Sequence, residues 1–328
     1  MNIDHSLRRL ALALIAVVLI ADAARAAEAQ PYPTRPIRML VGFPPAGPTD
    51  LTARIAAQHL TDTLGQQVIV DNRPGASGTV SGQLLSRAEP DGYTIALGSG
   101  GEIAIAPHLR RKMSYDPLKD FAPVSRIGAG QLVLVVHPAV PAKSTADLVA
   151  LAKSKPGVVN FASSGSGSTA HLAAELLKHM AAIDIVHVPY KGAGPALIDL
   201  ISGQVQLLIT GYSGAVPHIK SGKLRALAVT GAKRLRAAPE LPTIGETVKG
   251  YEVLAWYGIF APARTPQPII SKLHREIAAM VRRPQISERL VALGIEPEGN
   301  TPREFAAQIR SESQKWARII KLAKVTVD

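Results

Sequence analysis

From residue 37 onward the chain alternates between two hydrophobic periods. Residues 37–43 (IRMLVGF) form a short apolar run, suited to a buried strand. Residues 50–65 then place Leu51, Ile55, Leu60 and Leu64 at helical spacing, with Gly65 as the stop. Residues 67–72 predict a strand, 78–88 a helix weakened by Gly82, and 93–99 another strand. This βαβαβ rhythm implies parallel strands with helices on both faces.

The rhythm restarts at residues 132–137, a strand. Ser144 and Thr145 open a helix that Pro156-Gly157 ends. Strands follow at 158–163, 183–190 and 206–210, with a last strand at 223–230. Helices are predicted after the loop 163–168, where Leu172, Leu176 and Leu177 share a stripe, and over 195–204. Residues 271–283 and 302–323 are amphipathic helices. Two stretches punctuated by Pro and Gly, 113–128 and 236–268, read as irregular crossovers. Two α/β units joined by two crossovers predict a hinged pair of lobes with a ligand cleft at the strands' carboxyl ends.

The first residues carry different information. Arg8 and Arg9 precede the apolar run 11–20, which is short for a membrane span, and Ala24-Arg25-Ala26 fits a small-x-small cleavage site. Residues 1–26 therefore read as a secretory signal peptide rather than an anchor helix, with the mature start near Ala27 and a bacterial periplasm as destination. The chain has no cysteine, which excludes disulfides, thiolate chemistry and a lipidated N-terminal Cys. Its 328 residues, 47% hydrophobic and 19% charged, suffice for a large core. Net charge is +12, but the basic residues are scattered apart from short clusters such as Arg110-Arg111-Lys112 and Lys233-Arg234. With 4% aromatics there is little to stack on bases, so nucleic acid is not an expected partner.

Two loops share one design. Residues 41–50 (VGFPPAGPTD) and 163–172 (SSGSGSTAHL) each leave a strand and open a helix, with Thr49 or Asp50 and Ser168 or Thr169 near the N-cap. The first N–H groups of a helix lack internal partners, and the macrodipole adds positive potential there, so each loop is a candidate anion site needing no lysine. Ordinary capping and turn chemistry explains either loop alone equally well.

Other chemistries fit less well. Residues 165–170 match G-x-G-x-x-A after a strand, but the acid a dinucleotide fold needs at the end of the next strand is replaced by His187-Val188-Pro189-Tyr190. Residues 211–215 (GYSGA) fail G-x-S-x-G at the last position. His171 lies near Ser168 by helical spacing, a pattern typical of a cap. There is no HExxH and no His/Asp/Glu cluster, so no metal, cofactor or catalytic residue is expected. Tyr190 and Lys191 end a strand and are placed to offer a phenol and a charge to the cleft, or form a plain surface turn. Trp256-Tyr257 suits core or hinge packing.

The segments NRPGASGTV, EPDGYTIALG, SYDPLKDFAPVSRIG, VPYKGAGPALIDLISGQV, SGKLRALAVT and ELPTIGE, together with the loop 163–168, resemble the Bug-type extracytoplasmic solute receptors of tripartite tricarboxylate transporters, in order along the whole chain after the signal peptide. The resemblance implies an α/β, two-lobed, type II periplasmic-binding-protein-like fold with mostly parallel sheets and two interlobe crossovers. Lobe 1 would comprise 27–124 and 247–328, and lobe 2 residues 125–246. It implies a non-enzymatic, monomeric receptor that closes on a small carboxylate and delivers it to membrane permease subunits. Family ligands are di- and tricarboxylates, acidic amino acids or aromatic acids. By position, Phe43, Pro44, Ala46, Gly47 and Thr49 match the first binding loop. Ser163, Ser164, Gly165, Gly167, Ser168, Thr169 and His171 match the second, and Tyr190 and Lys191 the cleft edge. In the family these loops hold the carboxylate, partly through ordered water. Where the family often has Gly-Gly, this chain has Ala46-Gly47, so a methyl restricts that turn. Glu102, after the strand 93–99, is either a surface glutamate or a candidate for repelling a second carboxylate and welcoming an ammonium. An exported serine hydrolase on a similar fold and a sensor subunit are the alternatives.

Overall fold

The computed structural model describes residues 32–110, 113–323 and 325. The expected signal peptide and the cleavage near Ala27 lie outside the described residues, as do Arg111 and Lys112. The described residues from Arg35 onward form one compact unit.

The first wing holds β1 (Ile37–Val41), α1 (Pro48–Leu64), β2 (Val68–Asn72), α2 (Thr79–Ser86) and β3 (Thr94–Ser99). β1 pairs in parallel with both β2 and β3. In α1 the apolar stripe Ala53, Ile55, Ala56 and Leu60 is buried, and Gly65 caps the helix in the left-handed conformation that glycine adopts without steric cost. The long β4 (Phe121–Val136) then crosses to the second wing. There follow α3 (Thr145–Ser154), β5 (Val159–Ser163), α4 (Thr169–Ala181), β6 (Ile185–Pro189), α5 (Ala193–Ile201), β7 (Leu207–Gly211), α6 (Tyr212–Lys220) and β8 (Arg225–Val229). β5 lies parallel between β6 and β7. The chain returns through β9 (Leu254–Pro262), α7 (Gln267–Val281), α8 (Pro284–Ala292), β10 (Ile295–Pro297) and α9 (Pro302–Ala323).

The strand order is β2-β1-β3-β9-β4-β7-β5-β6, with β8 and β10 also on β4. The α/β class and the restarted rhythm stand as expected. The expected parallel pairing is found in the two wings. The pairs that join them, through β4 and β9, are antiparallel.

Both stretches expected to be irregular contain these joining strands. Pro117, Pro123 and Gly128 make residues 113–128 read as irregular, yet β4 begins at Phe121 and runs through their second half. Register shifts against β9 between Pro123 and Ser125, and between Arg126 and Gly128, absorb the proline and the turn-like sequence. Gly128 and Gly130 are needed because the carbonyls of Glu296 on β10 and of Gly294 just before it press against them, where a Cβ has no room. β9 also ends the idea that residues 223–230 are the last strand. It carries Trp256 and Phe260 into an aromatic cluster with Phe305 of α9, at ring-centroid separations of 5.4 Å for Trp256–Phe305 and 5.1 Å for Phe260–Phe305. Burying each such ring stabilises the fold by about 1.5–3 kcal/mol. α9 thereby docks on the strands that join the two wings, presenting Phe305, Ile309, Trp316 and Ile320 at helical spacing. The second wing has its own core of Val133, Val135, Ala162, Leu200 and Leu208.

Candidate functional site

Four strands end on one cavity of about 310 Å³. β1, β5, β6 and β7 each lead through a short turn or loop into a helix, and the first residues of α1, α4, α5 and α6 all line the same space. Gly47, Gly192 and Gly211 are the N-caps of α1, α5 and α6, and none supplies a side-chain cap. Only Ser168 caps its own helix, accepting the N–H of His171 at 3.2 Å. Each N-terminus carries a partial charge of about +0.5. The field is therefore positive, although no Lys, Arg, His, Asp or Glu lines the cavity among the described residues.

The first loop is held from behind by Asp50. This buried carboxylate accepts the Ala46 N–H, the Arg54 Nε–H and the Asn72 amide, each at 2.9 Å. Asn72 also donates to the Phe43 carbonyl at 3.0 Å, so both ends of the turn are pinned. Burial alone raises the Asp50 pKa, but the hydrogen bonds from Arg54, Asn72 and Ala46 outweigh it and hold the carboxyl below its ordinary value. Ala46 sits at φ 67°, in the left-handed region. The methyl expected to restrict this turn is accommodated there under strain.

The second loop is held by a histidine stack. His171 and His187 lie face to face at 3.8 Å, and Phe161 stacks on His187 at 4.9 Å. His187 Nε2 bonds the Ser163 hydroxyl at 2.7 Å, and Ser163 Oγ also accepts the Gly165 N–H. His171 Nδ1 accepts the Gly167 N–H at 3.0 Å, which leaves Nε2 to carry the proton of the neutral ring, facing Glu175 at 3.7 Å. Burial, reinforced by the neighbouring His171, pushes the His187 pKa down to about 3, so this ring is neutral at physiological pH. From the first wing, Ser77 donates to the Ser166 carbonyl at 2.6 Å and ties the two sides of the cleft together.

Phe43, Pro44, Ala46, Gly47 and Thr49 thus line the cavity, and so do Ser164, Ser168 and Thr169. Ser163, Gly167 and His171 stand behind it as the loop's bracing. Gly165, Tyr190 and Lys191 line a second cavity of about 560 Å³, which shares Phe43, Pro44, Ser164 and Gly192 with the first. The Tyr190 phenol donates to Asp199 at 2.7 Å, and burial together with that carboxylate pushes its pKa up to about 12. Glu102 lies off both linings, 1% exposed, packed against Gly78. Burial pushes its pKa up to about 8. The far wall consists of residues the motif reading missed: Leu132, Leu197, Thr210, Ala255 and Tyr257. Their signal was weak because each is an ordinary strand or helix residue. Only the strand-glycine-helix turns at Gly192 and Gly211 repeated the pattern of the two recognised loops.

The Ser163–His187 pair is a brace of the loop. Ser163 is fully buried, and the Ser213 hydroxyl in the GYSGA segment is also buried, with no hydrogen-bond partner. No group of three or more metal-ligating side chains occurs among the described residues.

Residues 52–325 match the tripartite tricarboxylate transporter family receptor. The chain belongs to this receptor family. BugT of Bordetella pertussis is 39% identical over 94% of this chain and 96% of its own length. Among solved structures, the R. palustris protein Rpa4515 with adipate superposes with a TM-score of 0.88 at 36% identity, covering 90% of this chain and 99% of that one. The periplasmic binding protein BugD does so at 0.85 and 34%, covering 90% and 99%. The receptor family is one of solute-binding proteins rather than enzymes, and its members are periplasmic.

Proposed function

We propose that this receptor captures a small carboxylate in the cavity where α1, α4, α5 and α6 converge. The observation that carries the reading is a positive field built from backbone alone, in a cavity without a cationic side chain. Such a site favours a compact anion whose oxygens accept several N–H and hydroxyl donors at once. A related protein holding adipate supports the same chemistry. Thr49, Ser164, Ser168 and Thr169 supply hydroxyls, while Phe43, Pro44, Ala46 and Gly47 shape the first wall. Ser163, Gly165, Gly167 and His171 set the second loop, and Tyr190 and Lys191 serve the neighbouring cavity at the cleft edge.

Residues 27–124 with 247–328, and 125–246, act as two lobes that close about β4 and β9. The ligand favours the closed state because only there do both loops reach it, and closure is what membrane permease subunits recognise. The protein works without catalysis, as a monomer, exported by cleavage near Ala27. A thermal-shift screen against mono-, di- and tricarboxylates tests the carboxylate claim, since a ligand specific to the folded state raises the melting temperature by mass action. A selective shift that disappears in a Thr49→Ala/Ser168→Ala double variant is the expected result. A shift that survives in that variant rejects the assigned loops.

A further inference from the structure

Resting on the two-lobe closure proposed above, we infer that Ser77 is a latch. Its hydrogen bond to the Ser166 carbonyl holds the cleft shut and so sets how readily the receptor opens to take up and release its ligand. The bond is 2.6 Å long and half-buried, and it joins loops 89 residues apart in the chain. At two other points the wings meet without a polar bond. Pro44 packs on Gly192 and Pro48 on Gly211, a ring against bare backbone in each case. Such contacts part without leaving a polar group unpaired, whereas opening at Ser77 must break a bond.

The turn that carries Ser77 is strained. Gly75, Ala76, Ser77 and Gly78 all have positive φ, and for Ala76 at 48° and Ser77 at 57° this is the sterically penalised left-handed region. Strain of this kind persists only where the surroundings fix the conformation. Here they do so from behind. Gly78 is wedged between Gly42, whose Cβ would stand 2.6 Å from the Gly78 Cα, and the Glu102 side chain, 3.1 Å from a Cβ on Gly78. The Gly78 N–H donates to the Gly75 carbonyl and the Thr79 hydroxyl to the Ala76 carbonyl, each at 3.0 Å. None of these contacts uses the Ser77 hydroxyl, which is left to point across the cleft. The backbone alone would favour glycine at this φ, so the serine is explained by its hydroxyl.

The acceptor is held as firmly. On either side of Ser166, Ser163 Oγ accepts the Gly165 N–H at 3.2 Å and His171 Nδ1 accepts the Gly167 N–H at 3.0 Å. Gly165 must lack a side chain, because a Cβ there would meet the Ser77 Oγ at 2.9 Å. Two loops fixed in advance lose little freedom when the bond forms between them.

The test needs no ligand. The chain has no cysteine, so Arg87→Cys on the first wing and Ile198→Cys on the second, both exposed, carry spin labels at those two sites alone. The protein is unfolded in guanidinium to strip any retained ligand and refolded, and double electron–electron resonance reads the label separation. Two variants are compared on this background. Ser77→Ala keeps the strained φ and loses the hydroxyl, while Ser77→Gly loses both. A neutral hydrogen bond shifts an equilibrium by roughly 2- to 10-fold, so both variants should raise the ratio of open to closed molecules by about that factor, and by the same amount. Their urea midpoints should differ, with the glycine variant the more stable. A merely structural role would make opening follow stability, leaving the glycine variant the less open of the two; that result overturns the latch. A distribution unchanged in both variants overturns it as well. If that unchanged distribution is the single short separation set by the structure, the wings do not part and the two-lobe reading falls too. If it includes longer separations, closure stands and only the latch is lost.

Discussion

Asp50→Asn tests whether the first loop is held from behind. In the native protein one carboxylate oxygen accepts both the Ala46 N–H and the Arg54 Nε–H, and the other accepts the Asn72 amide. An asparagine can keep only one oxygen in place. If it serves Ala46 and Arg54, its new NH2 faces the NH2 of Asn72. Asn72 cannot rotate away without losing its bond to the Phe43 carbonyl. A hydrogen bond to a charged group contributes about 1.5–3 kcal/mol, and a stranded buried donor costs about 1–3 kcal/mol. Arg54 is half exposed, so its ion pair adds under about 0.5 kcal/mol. The variant should therefore lose about 2–3 kcal/mol, with the overlap between the first two terms removed. Urea denaturation at pH 7 measures this directly. The pH dependence supplies a second check. Because the folded-state pKa of Asp50 is depressed, its stabilisation is complete above the unfolded value of about 3.9 and is lost as pH falls through the lower, folded value. The gap between wild type and variant should narrow below about pH 4. A loss under about 0.5 kcal/mol, or a gap identical at pH 7 and pH 3, would refute the bracing argument.

Three further predictions concern the loops. His187 has a folded-state pKa near 3, so the unfolded chain takes up a proton that the folded ring refuses as pH falls below about 6.5. The stability advantage of wild type over His187→Phe, which keeps a ring in the stack, should shrink between pH 7 and pH 4; a flat difference in melting temperature argues against a buried neutral imidazole. Ala46→Gly removes about 1–2 kcal/mol of left-handed strain against about 0.5–1 kcal/mol of added backbone entropy, so calorimetry should show a net gain of roughly 0.5 kcal/mol. Gly42→Ala should do the opposite, since its Cβ would stand 2.6 Å from the Cα of Gly78, where only backbone can give way.

Much was legible without coordinates. Most strands and helices of the two βαβ rhythms were visible because an apolar period reports a burial that neighbouring residues share, whereas α6, with Pro217 inside it and only Ala215 buried, was not. The two strand-to-helix loops at the cavity were visible for a similar reason: a strand end, small residues and a helix cap are local features, adjacent in sequence. The antiparallel centre was not. β4 and β9 carry the prolines and glycines of loops, and they are strands only because partners from remote parts of the chain pair with them. Gly128 and Gly130 have meaning only once β10 lies against them.

The same division runs through the site. Sequence alone determined that two helix N-termini would be free of lysine and suited to an anion. Tertiary structure alone decided that two more, α5 and α6, share the cavity with them. It also placed His171 behind the loop and not in the cavity, because its ring finds His187, sixteen residues away, at stacking distance. Asp50 reads as an ordinary first-turn acid until Asn72 is brought beneath it. Local chemistry sets what a segment can offer; which offers face one another depends on packing between distant segments, and no periodicity encodes that.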